Sequence, residues 1–413
     1  MKNATDVLDK PGPLKDVLVV EFGVFHAGPG AGAILGDLGA SIIKIEENIG
    51  DPLRHWTRVG AAIFGVDHGK SPMFEFSNRN KRSIYLDIQK PAGRRIFHRL
   101  IEKADVFLTN LRKSTKLKMK IDYEHICAIN PKIIYAGVSG YGKRGPVSDT
   151  GAYDPLGQAR SGMMFLTDAD EPKLIQLAIL DQATAITASH AIMTALYTRE
   201  RYGIGQEVHN SLYSTALWLT YANLMLSNFG IDVSELTWVR SRNNILRNSY
   251  RCKDGKWVIC THHPTEKYWP AFCEATGQQA LMKDPRYRDE ESRNTHNAEL
   301  VEHFDRVLAQ KTQSEWISIF TKAGLMFSPV QEMKAVLEDP QAIANDYVIE
   351  FDHPGFGKMK MPGYPIEFST FSAGIRYRSP AIGEHTDKIL EELGYTPEEI
   401  EGFKKQQAAG IVA

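Results

Sequence analysis

The strongest constraint on this chain is an alternation of short apolar runs with stretches of helical periodicity, the pattern of βαβ units feeding a mostly parallel sheet. Asp16 to Phe22 reads as a buried strand, followed by a Gly-rich turn, an apolar helix to about Leu38 and a second strand from Ser41 to Glu46. Strands follow at Ser83 to Ile88, Asp105 to Thr109 and Lys132 to Val138, with helices at Ala92 to Ala104 and Tyr123 to Ile129. The expected fold class is therefore α/β and layered. A further apolar run, Leu174 to Leu180, reads as a strand that stops at Asp181 and feeds a helix ending at Gly203.

Beyond the apolar helix Leu212 to Leu226 the pattern changes. Arg240, Arg242, Arg247 and Arg251 gather with Asn243, Asn244 and Asn248, which reads as a linker. Tyr250 to Cys252 and Trp257 to Thr261, joined across Asp254-Gly255, then predict a β-hairpin opening a smaller domain. Helical patterns follow at Glu266 to Thr276, Asn297 to Gln310 and Ser314 to Lys322, and the tail ends in a charged helix near Pro397 to Gln406. The expected boundaries are 1–225 for the large domain, 226–245 for the linker, 246–340 for the small domain and 341–413 for a returning segment.

Composition narrows the function classes. With 43% hydrophobic and 24% charged residues and a net charge of −1, the chain has ordinary globular composition and no global basic field to attract nucleic acid. Four cysteines in 413 residues do not make a disulfide scaffold. No run approaches the roughly 18 apolar residues of a membrane span, and Met1 to Lys10 carries no apolar signal segment. No nucleic-acid or membrane partner is expected, and cytoplasmic residence is the expectation.

Three motifs have two readings each. Gly28-Pro29-Gly30-Ala31-Gly32, with Glu46 ending the next strand, invites a dinucleotide site, but Ala33 stands at the sixth position and Pro29 lacks an N–H for pyrophosphate. The other reading is a turn that lets a helix pack closely on the sheet. Arg79, Lys81 and Arg82 either meet phosphates or form a solvated turn. Asp181, at a strand end and a helix N-cap, either attacks an activated acyl group or merely caps its helix. Cys252, Cys260, His262 and His263 lack the spacing of a zinc site, and no metal is expected.

Taken in order, Val19-Glu21-Phe22 with Ala27-Gly28-Pro29, Leu38-Gly39-Ala40, Ile43-Lys44-Ile45-Glu46, Asn80-Lys81-Arg82-Ser83, Ala104-Asp105-Val106, Ser139-Gly140-Tyr141-Gly142 and Gln158-Ala159 with Ser161-Gly162 resemble the class III CoA-transferases of the CaiB/BaiF type. The resemblance spans nearly the whole chain and reaches Asp181 at the family's nucleophile position. It implies a Rossmann-like large domain with an inserted smaller α+β domain, in an interlocked ring-like homodimer. It also implies that Asp181 takes an acyl group from an acyl-CoA donor, succinyl-CoA among the candidates, and passes CoA to a carboxylic acid through mixed-anhydride and aspartyl-CoA intermediates. CoA thioesters are then substrates, and no cofactor is expected.

By the same resemblance the CoA site comprises Phe25, His26, Ala27, Phe76, Asn110, Leu111, Lys118, Met119 and Tyr141, with Lys81, Arg82 and Arg112 as further basic groups. His26 stands where relatives assist the reacting carbonyl with a glutamine, and donates a hydrogen bond to the oxyanion in this reading. Glu47 and Lys118 stand at usual arginine positions. Ser241 to Tyr250 lacks a multi-glycine closing loop, which favours an acyl group larger than oxalyl, and the resemblance offers an aromatic or branched acid as the acceptor. Racemases of the same superfamily carry Gly-His-Asp where this chain has Ala152-Tyr153-Asp154, so transfer is expected over racemisation, with a catalytically silent CoA-binding protein as the third reading.

Overall fold

The computed structural model describes residues 1–47, 49–66, 71–168, 170–175, 178–232 and 236–410. Strands β1 (Leu18–Glu21), β2 (Ser41–Glu46), β3 (Lys81–Leu86), β4 (Val106–Thr109), β5 (Ile134–Ser139), β6 (Gln206–Ser211) and β7 (Ala409–Gly410) form one sheet. Their order is β7-β3-β2-β1-β4-β5-β6, and all neighbours are parallel except β7, which runs antiparallel to β3. The chain moves outward from β1 to β3 on one side, then returns to β4 and moves outward on the other. The order therefore reverses between β1 and β4, and their carboxyl ends border the crevice where doubly wound sheets bind ligands.

None of the described residues of the apolar run Leu174 to Leu180 lies in a strand. Its last two residues already belong to a helix, and residues 176 and 177 lie outside the described ones. The sixth strand is instead Gln206–Ser211, whose single apolar residue, Val208, leaves no alternation to read.

Five helices position the site: α1 (Ala27–Asp37), α2 (Pro72–Asn78), α3 (Pro91–Lys103), α4 (Asp154–Arg160) and α5 (Ile179–Tyr202). Successive strand residues point to opposite faces, and both faces are apolar because both are covered. Val20, Ile43, Ile84, Phe107 and Tyr135 join a core with Phe97 of α3 and with Ile389 and Ile400 of the C-terminal helices. Val19, Ile42, Leu108 and Ala136 meet Ala31 and Leu35 of α1 and Ala185 and Ile192 of α5.

The Gly28–Gly32 run lies inside α1 rather than in a phosphate-binding turn. A Cβ on Gly30 would stand 2.9 Å from Cβ of Ala185 on α5, and one on Gly32 would stand 2.1 Å from Oε2 of Glu21. These glycines let α1 approach both its helical neighbour and the charges beneath it.

Those charges form a fully buried cluster. Lys44 Nζ donates to Glu21 Oε1 at 3.0 Å and pairs with Asp51 Oδ2 at 3.1 Å. Lys81 Nζ donates to both Glu21 oxygens, at 2.9 and 2.7 Å, and to the Pro29 carbonyl at 2.7 Å. Two acids face two lysines, so the charge is balanced, and Lys81 is consumed here instead of meeting a phosphate.

The chain divides into two compact units, one comprising Met1–Leu166, Asp170–Val233 and Gln341–Ala413, the other Thr167–Ala169 and Ser234–Pro340. The second unit has its own core, in which Ile245 and Leu246 join Phe272, Phe304, Trp316 and Phe320. Its antiparallel sheet pairs Ser249–Arg251 with Trp257–Cys260, the hairpin expected around Asp254-Gly255, and Trp257–Cys260 with Phe327–Val330. His262 is buried there, and its Nε2 accepts the Met326 N–H at 2.8 Å. No helix among the described residues is long and apolar enough to cross a membrane.

Removing one partner from a buried ion cluster leaves uncompensated charge. Glu21→Gln strips both lysines of their shared anion and is expected to cost about 3–5 kcal/mol of stability, seen as a lower denaturant midpoint in urea; an unchanged midpoint contradicts the role given to the cluster.

Candidate active site

Beyond the carboxyl end of β1 the chain is clamped from β4. Asn110, the first residue after β4, accepts the Val24 N–H at 3.0 Å and donates to the Val24 carbonyl at 2.7 Å. Its amide is spent on holding this loop. Phe25 follows in a left-handed conformation, φ 61°, which a non-glycine residue adopts only where its surroundings enforce it. Enforcement comes from Asp51, whose Oδ1 accepts the Phe25 N–H at 3.0 Å. The buried ion cluster thus reaches the crevice, and the Phe25 ring stands edge-on to Tyr153 at 5.2 Å.

His26 comes next, buried just ahead of α1. Its ring stacks on Phe76 with centroids 3.9 Å apart, Nδ1 lies 2.8 Å from Ser77 Oγ, and Nε2 lies 2.7 Å from Gln182 Oε1. Burial pushes its pKa down to about 3, against the opposing pull of Gln182 and with help from Arg79 and Lys81. The imidazole is neutral and both ring nitrogens are engaged. The expectation that His26 donates directly to an oxyanion does not fit this geometry.

Asp181 is the third residue of α5, and the N-cap is Ala178, in the left-handed region with φ 53° and no side chain that can cap. Capping is supplied from elsewhere: Asp154 Oδ2 accepts the N–H groups of Leu180 at 2.6 Å and Asp181 at 3.0 Å. Asp181 is therefore neither at a strand end nor a capping residue. Gln158 holds Asp154 in place through a 2.5 Å bond to Oδ1 and exchanges two hydrogen bonds with the backbone of Ile175, tying the segment ahead of α5 to α4.

The Asp181 carboxylate has no hydrogen-bond partner among the described residues. Burial first, and the charge of Asp154 second, raise its pKa to about 7. A half-buried carboxylate without a partner among the described residues is chemically suited to attack an electrophilic carbon or accept a proton.

The other predicted residues divide into two groups. Ala27 opens α1, while Leu111 and Met119 are half-buried against the core beyond β4. Lys118 is exposed on the helix Lys113–Met119, and Tyr141 follows β5 with the Arg160 guanidinium 5.5 Å from its ring. These belong to the carboxyl side of the sheet. Arg82 does not: it enters β3 at the amino end, beside Ser41, and its guanidinium binds Glu392 at 2.8 and 2.7 Å and Ser41 Oγ at 3.0 Å. Glu47 lies just beyond β2, where burial and Asp87 push its carboxyl pKa up. Gln182, Ser77 and the capping role of Asp154 escaped the sequence reading because no periodicity or spacing marks them.

Residues 14–386 match the family model for CoA-transferase family III. An acyl-CoA transferase of Fusarium pseudograminearum is 34% identical over 403 residues, covering 95% of this chain and 88% of that protein. The (R)-2-hydroxy-4-methylpentanoate CoA-transferase of Clostridioides difficile is 30% identical over 397 residues, covering 95% of this chain and 98% of its own length. The crystal structure of a CAIB/BAIF family protein from Brucella suis agrees with a TM-score of 0.81 at 29% identity, covering 93% of this chain and 100% of that one. The chain belongs to CoA-transferase family III and is an enzyme of that class. The racemase alternative is not favoured by these relatives.

Any reaction that requires ionised Asp181 has its acidic limb near neutral pH, because the raised pKa of about 7 depletes the carboxylate as pH drops. Asp154→Asn removes the neighbouring charge and should move that limb to lower pH, while weakening the cap of α5 by about 1 kcal/mol. Rate profiles and denaturation curves of the two proteins check both, and an unmoved limb contradicts the electrostatic coupling.

Proposed function

We propose that this enzyme transfers CoA from an acyl-CoA thioester to a carboxylic acid with Asp181 as nucleophile. The observation that carries this reading is the Asp181 carboxylate in the first turn of α5, without a hydrogen-bond partner among the described residues and with a raised pKa. Asp181 attacks the thioester carbonyl, the C–S bond breaks, and an aspartyl mixed anhydride and CoA thiolate result. The thiolate then attacks the aspartyl carbonyl, releasing the donor acid and leaving an aspartyl-CoA thioester. An acceptor carboxylate displaces that CoA to form a second mixed anhydride, and the thiolate attacks the acceptor's carbonyl, which regenerates the aspartate. Each step exchanges one activated acyl bond for another, so neither ATP nor a metal is required.

CoA would lie along Phe25, Ala27, Phe76, Leu111, Met119 and Tyr141, with Lys118 near a phosphate. A branched or aromatic acid is the favoured acceptor: the Clostridioides relative is named for a branched 2-hydroxy acid, and Ser241 to Tyr250 lacks a glycine-rich closing loop. Succinyl-CoA heads the donor panel. The working form is a homodimer, a reading supported by the exposed apolar run Trp218, Leu219, Tyr221, Leu224, Met225 and Phe229, and cytoplasmic residence is proposed with it.

Asp181→Ala is expected to lower turnover by about a thousandfold or more while CoA still binds, measured by steady-state kinetics and calorimetry. Retained turnover contradicts the mechanism, whereas a change in stability alone would favour a silent CoA-binding protein. Leu224→Asp with Phe229→Asp is expected to yield monomers in light scattering; unaltered dimers would remove this face from the interface.

A further inference from the structure

Given Asp181 as the nucleophile, a reading on which this inference rests, the oxyanion formed on attack needs a donor, and His26 has none to spare. We infer that the side-chain amide of Gln182 is that donor and that His26 is the positioning residue that aims it.

His26 Nε2 and Gln182 Oε1 are 2.7 Å apart, so the ring N–H donates to the amide oxygen while Nδ1 faces the Ser77 hydroxyl at 2.8 Å. The Phe76 stack fixes the plane of the ring. This chain of contacts assigns the two ends of the carboxamide: the oxygen is held by His26, and the nitrogen, with two donors, points away. That nitrogen has no partner among the described residues and is not sealed from solvent.

The nucleophile and this amide share one side of α5. Ala185 packs against Gly30 of α1, and at about 100° per residue Asp181 and Gln182 flank Ala185 by about 40° and 60° on opposite sides. The carboxylate and the carboxamide thus border the same α1-facing stripe at the start of the helix. When an Asp181 oxygen bonds to the acyl carbon, the carbonyl π pair moves onto oxygen, where a Gln182 N–H stabilises it. Collapse of that oxyanion restores C=O and expels CoA thiolate, so no proton is gained or lost overall.

The position also explains why the imidazole is buried and neutral. A cationic ring would pair with the carboxylate it is meant to leave reactive; a neutral one transmits orientation without charge.

The test uses the full-length enzyme under single-turnover conditions with succinyl-CoA and, in parallel, an aromatic and a branched acyl-CoA, following formation of the trapped Asp181 adduct and CoA affinity. Gln182→Met keeps the length but removes both donors; it is expected to slow adduct formation about a hundredfold or more with CoA affinity changed less than about threefold. His26→Phe keeps the stack on Phe76 but releases the amide, and is expected to slow the same step with affinity again retained. The double variant should be no slower than Gln182→Met alone, because both act through one hydrogen bond. Adduct formation at the wild-type rate in Gln182→Met overturns the inference and leaves Asp181 as nucleophile intact, as does a slow His26→Phe beside a normal Gln182→Met, which would return the role to the histidine. If the wild-type enzyme turns over without ever labelling Asp181, the nucleophile assignment itself fails and the inference with it.

Discussion

The close approach of α1 to α5 is the constraint on which the site depends. A side chain at Gly30 would collide with Ala185, and one at Gly32 would enter the Glu21 carboxylate, so the two helices and the ion cluster under them admit only hydrogen at these positions. That contact sets the first residues of α1 beside the first turn of α5. It brings His26, reached through a strained Phe25, within a hydrogen bond of Gln182, whose preceding residue on the same helix is Asp181. The buried Lys44 and Lys81 are part of the same device, since Asp51 connects the cluster to the Phe25 backbone. Stability and the geometry of the candidate site are therefore drawn from one set of contacts.

A second economy concerns the helix terminus. An aspartate at a helix start ordinarily accepts the exposed N–H groups and is quenched by them. Here Asp154, held by Gln158, accepts those bonds from another helix, which leaves the Asp181 carboxylate without a partner among the described residues and close to a like charge. The result is a carboxylate whose ionised form is poorly stabilised and correspondingly reactive, a state that a free surface aspartate does not have.

Much of the fold was legible because the short apolar stretches of β1, β2, β4 and β5 alternate with helical patterns, and because α3 is strongly amphipathic. The polar strand Gln206–Ser211 was invisible for the same reason, and the apolar segment before Asp181 was mistaken for the strand it replaces. The candidate nucleophile and the Phe25-His26 turn came from ordered motifs, which carry position but not orientation. What motifs could not reveal is where hydrogen bonds go: that His26 faces Ser77 and Gln182, that Asp154 rather than Asp181 caps α5, and that Arg82 points to Glu392 at the amino end of the sheet. Those facts arise from tertiary contacts between residues tens to hundreds of positions apart, for which a single sequence holds no record.

The most direct test of the account is peptide mass spectrometry of the enzyme after a single turnover with an acyl-CoA, with hydroxylamine or borohydride added to trap the activated carboxyl group. The account predicts that the peptide spanning Asp181 carries the trapped mass and that no other carboxylate does. Full turnover with an unmodified Asp181, accompanied by exchange of the acyl α-proton in deuterated water, would contradict it.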